Sequence, residues 1–182
     1  MYRAVAFAAL RDKVDLDNES DVAALARGLD VHLDDATVKI DGFDATTAIR
    51  SAEVNSVVSR VATLSSVRAL LREQQRAWVS ANGGGVVEGR DIGTVVFPDA
   101  TLKLFLTARP EVRARRRVAE SGGDVDEIAR SIAERDRIDS TRSDSPLAEA
   151  NGAVVIDTSD LTIDEVVEQI HSMVLESEAR HG

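Results

Sequence analysis

Residues 88–91 place an Arg-Asp pair directly after a short apolar segment. The apolar residues 86–87 predict a strand that ends at Glu88, and Arg90 and Asp91 follow after one glycine. In an open parallel α/β sheet, ligands bind beyond the carboxyl ends of the strands. A guanidinium at that edge can hold a phosphate through two parallel hydrogen bonds. The motif therefore predicts phosphate binding, with Arg90 as the residue that contacts the phosphate.

Two further groups of arginines follow this motif, one at residues 113–117 and one at residues 135–142. On a helix, Arg135, Asp139 and Arg142 stand at i, i+4 and i+7 and share one face. One interpretation is a solvated face with weak internal salt bridges. Both groups, however, lie between predicted core strands, where a lid could close over a nucleotide. Because converging guanidinium groups neutralise a transferring phosphoryl group, this position favours a nucleotide site.

The composition excludes several classes of protein. The chain has 182 residues, a net charge of −10 and no cysteine, which excludes disulfides and thiol catalysis and fits a cytoplasmic protein. The acidic balance argues against a general nucleic-acid surface. No stretch approaches the roughly 20 apolar residues of a membrane span, and the amino-terminal apolar run is too short for a signal peptide. We therefore expect small-molecule ligands, with no nucleic-acid or membrane partner.

Hydrophobic periodicity predicts helices that alternate with short strands. Helices are predicted over 2–13, 21–28 with Ser20-Asp21 as the cap, 48–80 with a break at Ser65-Ser66, 110–120, 125–140 and 163–178. Core strands are predicted over 86–88, 101–106 and 153–157, and an antiparallel meander over 29–45 with turns at Asp34-Asp35 and Asp41-Gly42. Three apolar strands separated by helices predict a parallel α/β sheet, with the meander as an inserted subdomain.

Several of these stretches together resemble the cytidylate kinases, the bacterial (d)CMP kinases among the nucleoside-monophosphate kinases. They are Tyr2-Arg3, residues 49–68, the run Gly89–Ala100, and residues 134–147. The resemblance runs from residue 2 to about residue 175, and the twelve-residue run 89–100 is its most specific part. A lone Gly-Arg-Asp would be a weak signal, whereas this run with its partners in the right order is specific.

The resemblance implies a fold, an activity and a domain organisation. The fold would be a P-loop kinase-like parallel sheet with helices on both faces. Residues 1–182 would form one incomplete kinase domain, with 29–64 as the monophosphate-binding insert and 109–142 as the lid region. The reaction would transfer the γ-phosphoryl group of ATP to CMP or dCMP, with Mg²⁺, in pyrimidine nucleotide metabolism. We expect a monomer.

The resemblance also implies a role for each site residue. Arg3 and Arg90 would hold the acceptor phosphate; Ser59, Arg68 and Asp91 would read the cytosine edge; Arg135, Asp139 and Arg142 would contact the ribose and phosphates of the acceptor; Arg113, Arg116 and Arg117 would cover ATP from the lid; and Glu88 would orient water around Mg²⁺. Family members more often have Asp at the position of Glu88, which leaves that role the least supported.

The Gly-rich phosphate loop of the family is missing from the sequence, together with the family's first strands and first helix. No Gly-x-x-x-x-Gly-Lys-[Ser/Thr] occurs in the sequence. The three lysines, Lys13, Lys39 and Lys103, are not preceded by glycine and so cannot belong to such a loop. We therefore expect little kinase activity from this chain alone. Three hypotheses remain open: an amino-terminally truncated kinase in which Met1 is internal, a short paralogue that binds nucleotide without catalysis, and a non-enzymatic acidic interaction domain.

Overall fold

The computed structural model describes residues 1–33 and 37–181, so the predicted turn at Asp34-Asp35 lies outside the described residues. The chain divides into two compact units, Met1–Val86 and Val87–Gly182. Each unit is described by itself below.

The first unit is a set of helices with a small sheet. Its helices are α1 (Tyr2–Arg11), α2 (Glu19–Gly28), α3 (Ala52–Val61) and α4 (Ser65–Ala81), with a 3₁₀ turn at Ala48–Arg50. Its strands are β1 (Val31–Leu33), β2 (Val38–Ile40) and β3 (Phe43–Asp44), which pair antiparallel in the order β1-β2-β3.

Small aliphatic side chains build the core of the first unit. Helix α1 packs against α2 and α3, and α2 packs against α4. Ala6 and Ala9 on α1 are buried, which lets neighbouring helices approach closely, while Val22, Val58 and Leu71 fill the space around them. Each fully buried aliphatic side chain of this size contributes about 1.5–3 kcal/mol of transfer free energy. The core therefore needs few aromatic residues.

The small sheet lies within the range 29–45 that the sequence predicts as a meander. Val31 pairs with Ile40, and Ile40 pairs with Phe43. Asp41 and Gly42 join β2 to β3 with φ angles of 51° and 81°. Two positive φ angles are typical of the type I′ hairpin turn, which Asp-Gly favours. The predicted turn at Asp41-Gly42 is therefore confirmed.

The second unit contains a parallel pair of strands with helices. Its elements are one π-helical turn at Ile92–Val96, β4 (Leu104–Thr107), α5 (Pro110–Ser121), α6 (Val125–Thr141), β5 (Val154–Asp157) and α7 (Ile163–His181). Strands β4 and β5 pair in parallel, with Leu104 opposite Val154 and Thr107 opposite Asp157. The polypeptide between them forms α5 and α6, which pack against each other. A parallel pair with a helical crossover makes this unit an α/β structure.

Two strand predictions need correction. Residues Val86–Glu88 form no strand, and the Val86 side chain is 93% exposed. A strand requires a neighbour for its N–H and C=O groups, and no described residue pairs with this segment. The second strand begins at Leu104 rather than Thr101, because Pro98 and Asp99 occupy a turn closed by the Ala100 N–H and the Phe97 carbonyl.

The predicted start of the second helix was also wrong. Helix α2 begins at Glu19, and Asn18 rather than Ser20-Asp21 caps it, because the Asn18 side chain accepts the Asp21 N–H. Asparagine is among the preferred residues at this position. The first helix, predicted to residue 13, ends at Arg11.

Candidate anion-binding site

Helix α6 brings the second group of charged residues onto one face. Asp124 caps its first turn, because one carboxylate oxygen accepts the N–H groups of Asp126 and Glu127 at 3.0 and 2.9 Å. The helix then continues to Thr141 and carries Arg135 and Asp139, and Arg142 follows directly as its C-cap residue. Their contacts confirm the prediction that they share this face.

Asp139 is the buried centre of this face. Its side chain is only 3% exposed, and three guanidinium groups surround it. The nearest nitrogens of Arg90, Arg142 and Arg135 lie 3.2, 3.3 and 3.8 Å from its carboxylate oxygens. Because a buried carboxylate needs compensating charge, the cluster is not the solvated face that was the alternative interpretation.

Asp136 is a second acidic centre, one helical turn before Asp139. Its Oδ1 accepts a hydrogen bond from Nη1 of Arg90 at 2.5 Å. Its Oδ2 accepts one from Nη1 of Arg113 at 2.5 Å, and Nη2 of Arg113 lies 3.3 Å from Oδ1. One carboxylate therefore joins the Arg90 segment, helix α5 and helix α6. We refer to Asp136 with Arg90 and Arg113 as the Asp136 bridge.

The charges of the two arginines keep Asp136 ionised. Partial burial opposes ionisation and would raise its pKa. The hydrogen bonds from Arg113 and Arg90 outweigh that effect and hold the pKa of Asp136 below its ordinary value of 3.8. Asp136 is thus a carboxylate at neutral pH, and the bridge is charge-assisted on both sides.

The motif at residues 88–91 leads into a π-helical turn. The Phe97 N–H reaches the Ile92 carbonyl at 2.7 Å, and the Val96 N–H reaches the Asp91 carbonyl at 3.2 Å. A Cβ at Gly89 would lie 2.8 Å from Cγ1 of Ile92, so any other residue there would require the Ile92 side chain to move. π-helical turns are rare in proteins overall, and those that occur are often found at functional sites. The Asp91 residue beside it is buried.

A cavity of about 280 Å³ opens beside the Asp136 bridge. Its lining is mainly guanidinium: Arg90, Arg113, Arg116, Arg117 and Arg135, with Glu120 and Ile132. Arg116 also donates to the backbone carbonyls of Thr158 and Leu161, which ties α5 to the segment after β5. Arg117 pairs with Glu120 at 3.0 Å. The excess of positive charge makes the cavity suitable for a small polyanion.

Three predicted site residues, Arg3, Ser59 and Arg68, lie in the first unit, and each has its own contacts or burial. Arg3 donates to the Ile49 carbonyl at 2.9 Å and to Oδ1 of Asn55 at 2.6 Å. Arg68 is only 2% exposed, and its guanidinium lies 5.7 Å from the centre of the Tyr2 ring. Arg68 is therefore a buried residue of the first unit and not a surface arginine. Ser59 is half-buried on α3.

Within the second unit, the structure brings together most of the predicted site residues and adds one that sequence reasoning missed. Arg90, Arg113, Arg135, Asp139 and Arg142 form one cluster, whereas Glu88 is exposed. The missed residue is Asp136, to which no role was assigned. Its spacing of three residues from Asp139 puts both on one helix face, a signal that could have found it.

The donor set also bears on metal binding. The described residues include no group of three or more His, Cys, Asp or Glu side chains placed to hold a metal ion. Guanidinium groups donate hydrogen bonds to anions and repel cations, so the cluster suits an anionic group better than a bare metal ion. Among the described residues no helix is long and apolar enough to cross a membrane.

Fold and site together define an α/β protein with a cationic cluster beside a cavity. The family model described as "Cytidylate kinase" matches residues 1–176. The cytidylate kinase of Pelotomaculum thermopropionicum is 48% identical and covers 96% of this chain and 81% of its own length. That of Streptomyces avermitilis is 44% identical, with 98% of this chain and 80% of its own length covered. The chain therefore belongs to the cytidylate kinase family, a family of nucleotide-binding phosphotransferases.

Proposed function

We propose that this chain carries the acceptor half of a site that transfers the γ-phosphoryl group of ATP to CMP or dCMP, giving CDP or dCDP. The observation that carries the proposal is the family match over residues 1–176. The convergence of Arg90, Arg135 and Arg142 around Asp139 supports it, because a phosphoryl group needs several guanidinium donors.

The proposed mechanism is positioning and charge stabilisation, with little covalent chemistry from the protein. Arg90 and Arg3 would hold the acceptor phosphate, and Arg135, Asp139 and Arg142 would fix the ribose and phosphates. Ser59, Arg68 and Asp91 would recognise cytosine, whose amino and carbonyl groups need both acceptors and donors. Arg113, Arg116 and Arg117 would neutralise the phosphates of ATP, whose Mg²⁺ supplies further charge compensation.

We further propose that the chain alone catalyses phosphoryl transfer slowly. The phosphate loop normally supplies backbone N–H groups and a lysine to the β- and γ-phosphates, and no such motif occurs in the sequence. Three further predictions belong to this proposal. Residues 29–64 would form the monophosphate-binding insert, and residues 109–142 would form the lid. The protein would be a cytoplasmic monomer. Glu88 as a residue that orients water around Mg²⁺ stays the weakest of the residue roles.

A coupled assay of ADP release with CMP and Mg-ATP tests the proposal, alongside calorimetry with CMP. CMP binding with slow turnover is the expected result. Turnover at a rate ordinary for the family would refute the low-activity proposal. An absence of CMP binding would refute the acceptor site. Binding without any measurable turnover would favour the alternative of a catalytically inactive nucleotide-binding paralogue, which the lack of a Gly-Lys motif supports.

A further inference from the structure

Asp136 occupies a position that a phosphate could take. It accepts from two guanidinium groups on different segments, Arg90 before the π-helical turn and Arg113 on α5. The contact with Arg113 includes both of its Nη atoms. Paired donors on one guanidinium are the pattern by which arginine binds carboxylate and phosphate groups alike. The carboxylate thus uses the donors that an incoming anion would need.

Burial distinguishes the two carboxylates of the cluster. Asp139 is 3% exposed and is enclosed by arginines, whereas the Asp136 side chain is 25% exposed. Both arginine partners of Asp136 also line the cavity of about 280 Å³. An anion in the cavity would therefore contact the two arginines that hold Asp136. The more exposed carboxylate can turn toward solvent at a lower desolvation cost than the buried one.

The charge balance favours the replacement of the Asp136 carboxylate by an incoming anion over binding of the anion beside that carboxylate. Four guanidinium groups, those of Arg90, Arg113, Arg135 and Arg142, outnumber the two carboxylates by two charges. This excess attracts an anion. A phosphate within hydrogen-bonding distance of Arg90 and Arg113 would nevertheless stand close to the Asp136 carboxylate, and like charges at such a distance repel strongly. The repulsion is relieved when Asp136 releases its two arginines.

We propose that Asp136 is an internal competitor of phosphate: it holds Arg90 and Arg113 in place in the empty protein, and a bound phosphoryl group displaces it from both. Asp136 is thus a positioning residue that acts through the two arginines. No bond is made or broken, and only hydrogen bonds are exchanged. That the physiological phosphate belongs to a nucleotide rests on the proposed function, whereas the exchange itself does not.

The experiment compares the full chain with Asp136→Asn and with Glu134→Gln, by calorimetric titration with CMP and separately with inorganic pyrophosphate. Asparagine keeps the shape of Asp136 but removes the charge. Glu134 lies on the same helix and pairs with Arg137 outside the cluster, so its variant controls for the change in net charge. We expect Asp136→Asn to bind pyrophosphate about tenfold more tightly and Glu134→Gln to bind as the parent does.

Structural damage would weaken binding, so a gain in affinity is diagnostic. Equal or weaker pyrophosphate binding by a folded Asp136→Asn variant would overturn the exchange. Tighter pyrophosphate binding with no binding of CMP by any variant would support the exchange and refute the proposed acceptor. If Asp136→Asn does not fold, ¹³C spectra of the parent decide: the Asp136 carboxyl resonance should move on saturation with pyrophosphate, and an unmoved resonance overturns the proposal.

Discussion

At the residue scale, Arg68 contributes to the packing of the first unit, independently of any role in ligand binding. Its guanidinium lies against the Tyr2 ring, and its Nη1 donates to the Ala62 carbonyl at 3.0 Å. The side chain is among the largest that are fully buried in the first unit. A role in cytosine recognition stays a prediction, but a contribution to stability follows directly from the contacts.

Arg68→Ala should lower the free energy of unfolding by about 3 kcal/mol, because it leaves a cavity and an unsatisfied carbonyl. Urea unfolding measures this change. Arg76→Ala is the matched control, since Arg76 is exposed on the same helix. That control should change stability by less than about 0.5 kcal/mol. Equal effects of the two substitutions would contradict the packing role of Arg68.

The cluster around Asp139 was largely predictable because helix geometry is regular. The spacing of Arg135 and Asp139 needs only a continuous helix to bring them together, and Arg142 stands directly after the end of that helix. The partnership of Asp136 with Arg90 and Arg113 was not predictable in the same way. It depends on how a loop and a neighbouring helix approach α6, and neither distance can be derived from spacing along the chain.

At the element scale, the failed strand at Val86–Glu88 shows the limit of apolar patterns. A short apolar segment that favours a strand does not form one unless a neighbour supplies hydrogen bonds. The strands β4 and β5 succeed because they pair with each other along four residues. Helix boundaries were closer to prediction, since caps and glycines near the ends are local signals, as at Gly122-Gly123 after α5.

The α5–α6 connection gives an element-scale prediction that separates backbone strain from crowding. Gly122 has a φ of +72°, and no atom lies within 4 Å of the place that an added methyl group would take. Gly28 has the same open space without a positive φ. Gly122→Ala should therefore destabilise the chain by about 1–3 kcal/mol. Gly28→Ala should be neutral or stabilise it by up to about 1 kcal/mol.

Thermal or urea unfolding of the two glycine variants checks this prediction, with circular dichroism to confirm that the helices are retained. Because neither methyl group would meet another atom, any difference between the variants reports the backbone conformation. A Gly122→Ala variant as stable as Gly28→Ala would contradict the left-handed conformation at the α5–α6 connection.

At the scale of the whole molecule, a strongly acidic chain carries a local excess of positive charge. The net charge is −10, yet the cluster around Asp136 and Asp139 contains four arginines. Overall repulsion between the protein and an anion is screened beyond roughly 8 Å at physiological ionic strength, whereas contacts inside the cluster are screened much less. We therefore expect anions to bind at this one cluster rather than over the whole surface.

The Asp136 bridge also predicts how stability depends on pH. Burial alone would raise the pKa of Asp136, but the hydrogen bonds from Arg113 and Arg90 outweigh burial and lower the pKa in the folded protein. The contribution of Asp136 to stability is therefore fully present above the ordinary value of 3.8 and is lost as the pH falls below that value through the folded pKa. Above this range, Asp136→Asn should be less stable than the parent by about 1 kcal/mol.

Urea unfolding of the parent and Asp136→Asn near pH 7 and near pH 3 measures the difference, in which the other carboxylates cancel. The stability gap should narrow at the lower pH, because protonation removes from the parent the charge that the variant lacks. Glu134→Gln, whose pair with Arg137 is exposed, should match the parent at neutral pH. A stability difference between parent and variant of equal size at both pH values would show that the charge of the Asp136 carboxylate does not stabilise the fold. The contribution of Asp136 would then come from the shape of its side chain alone.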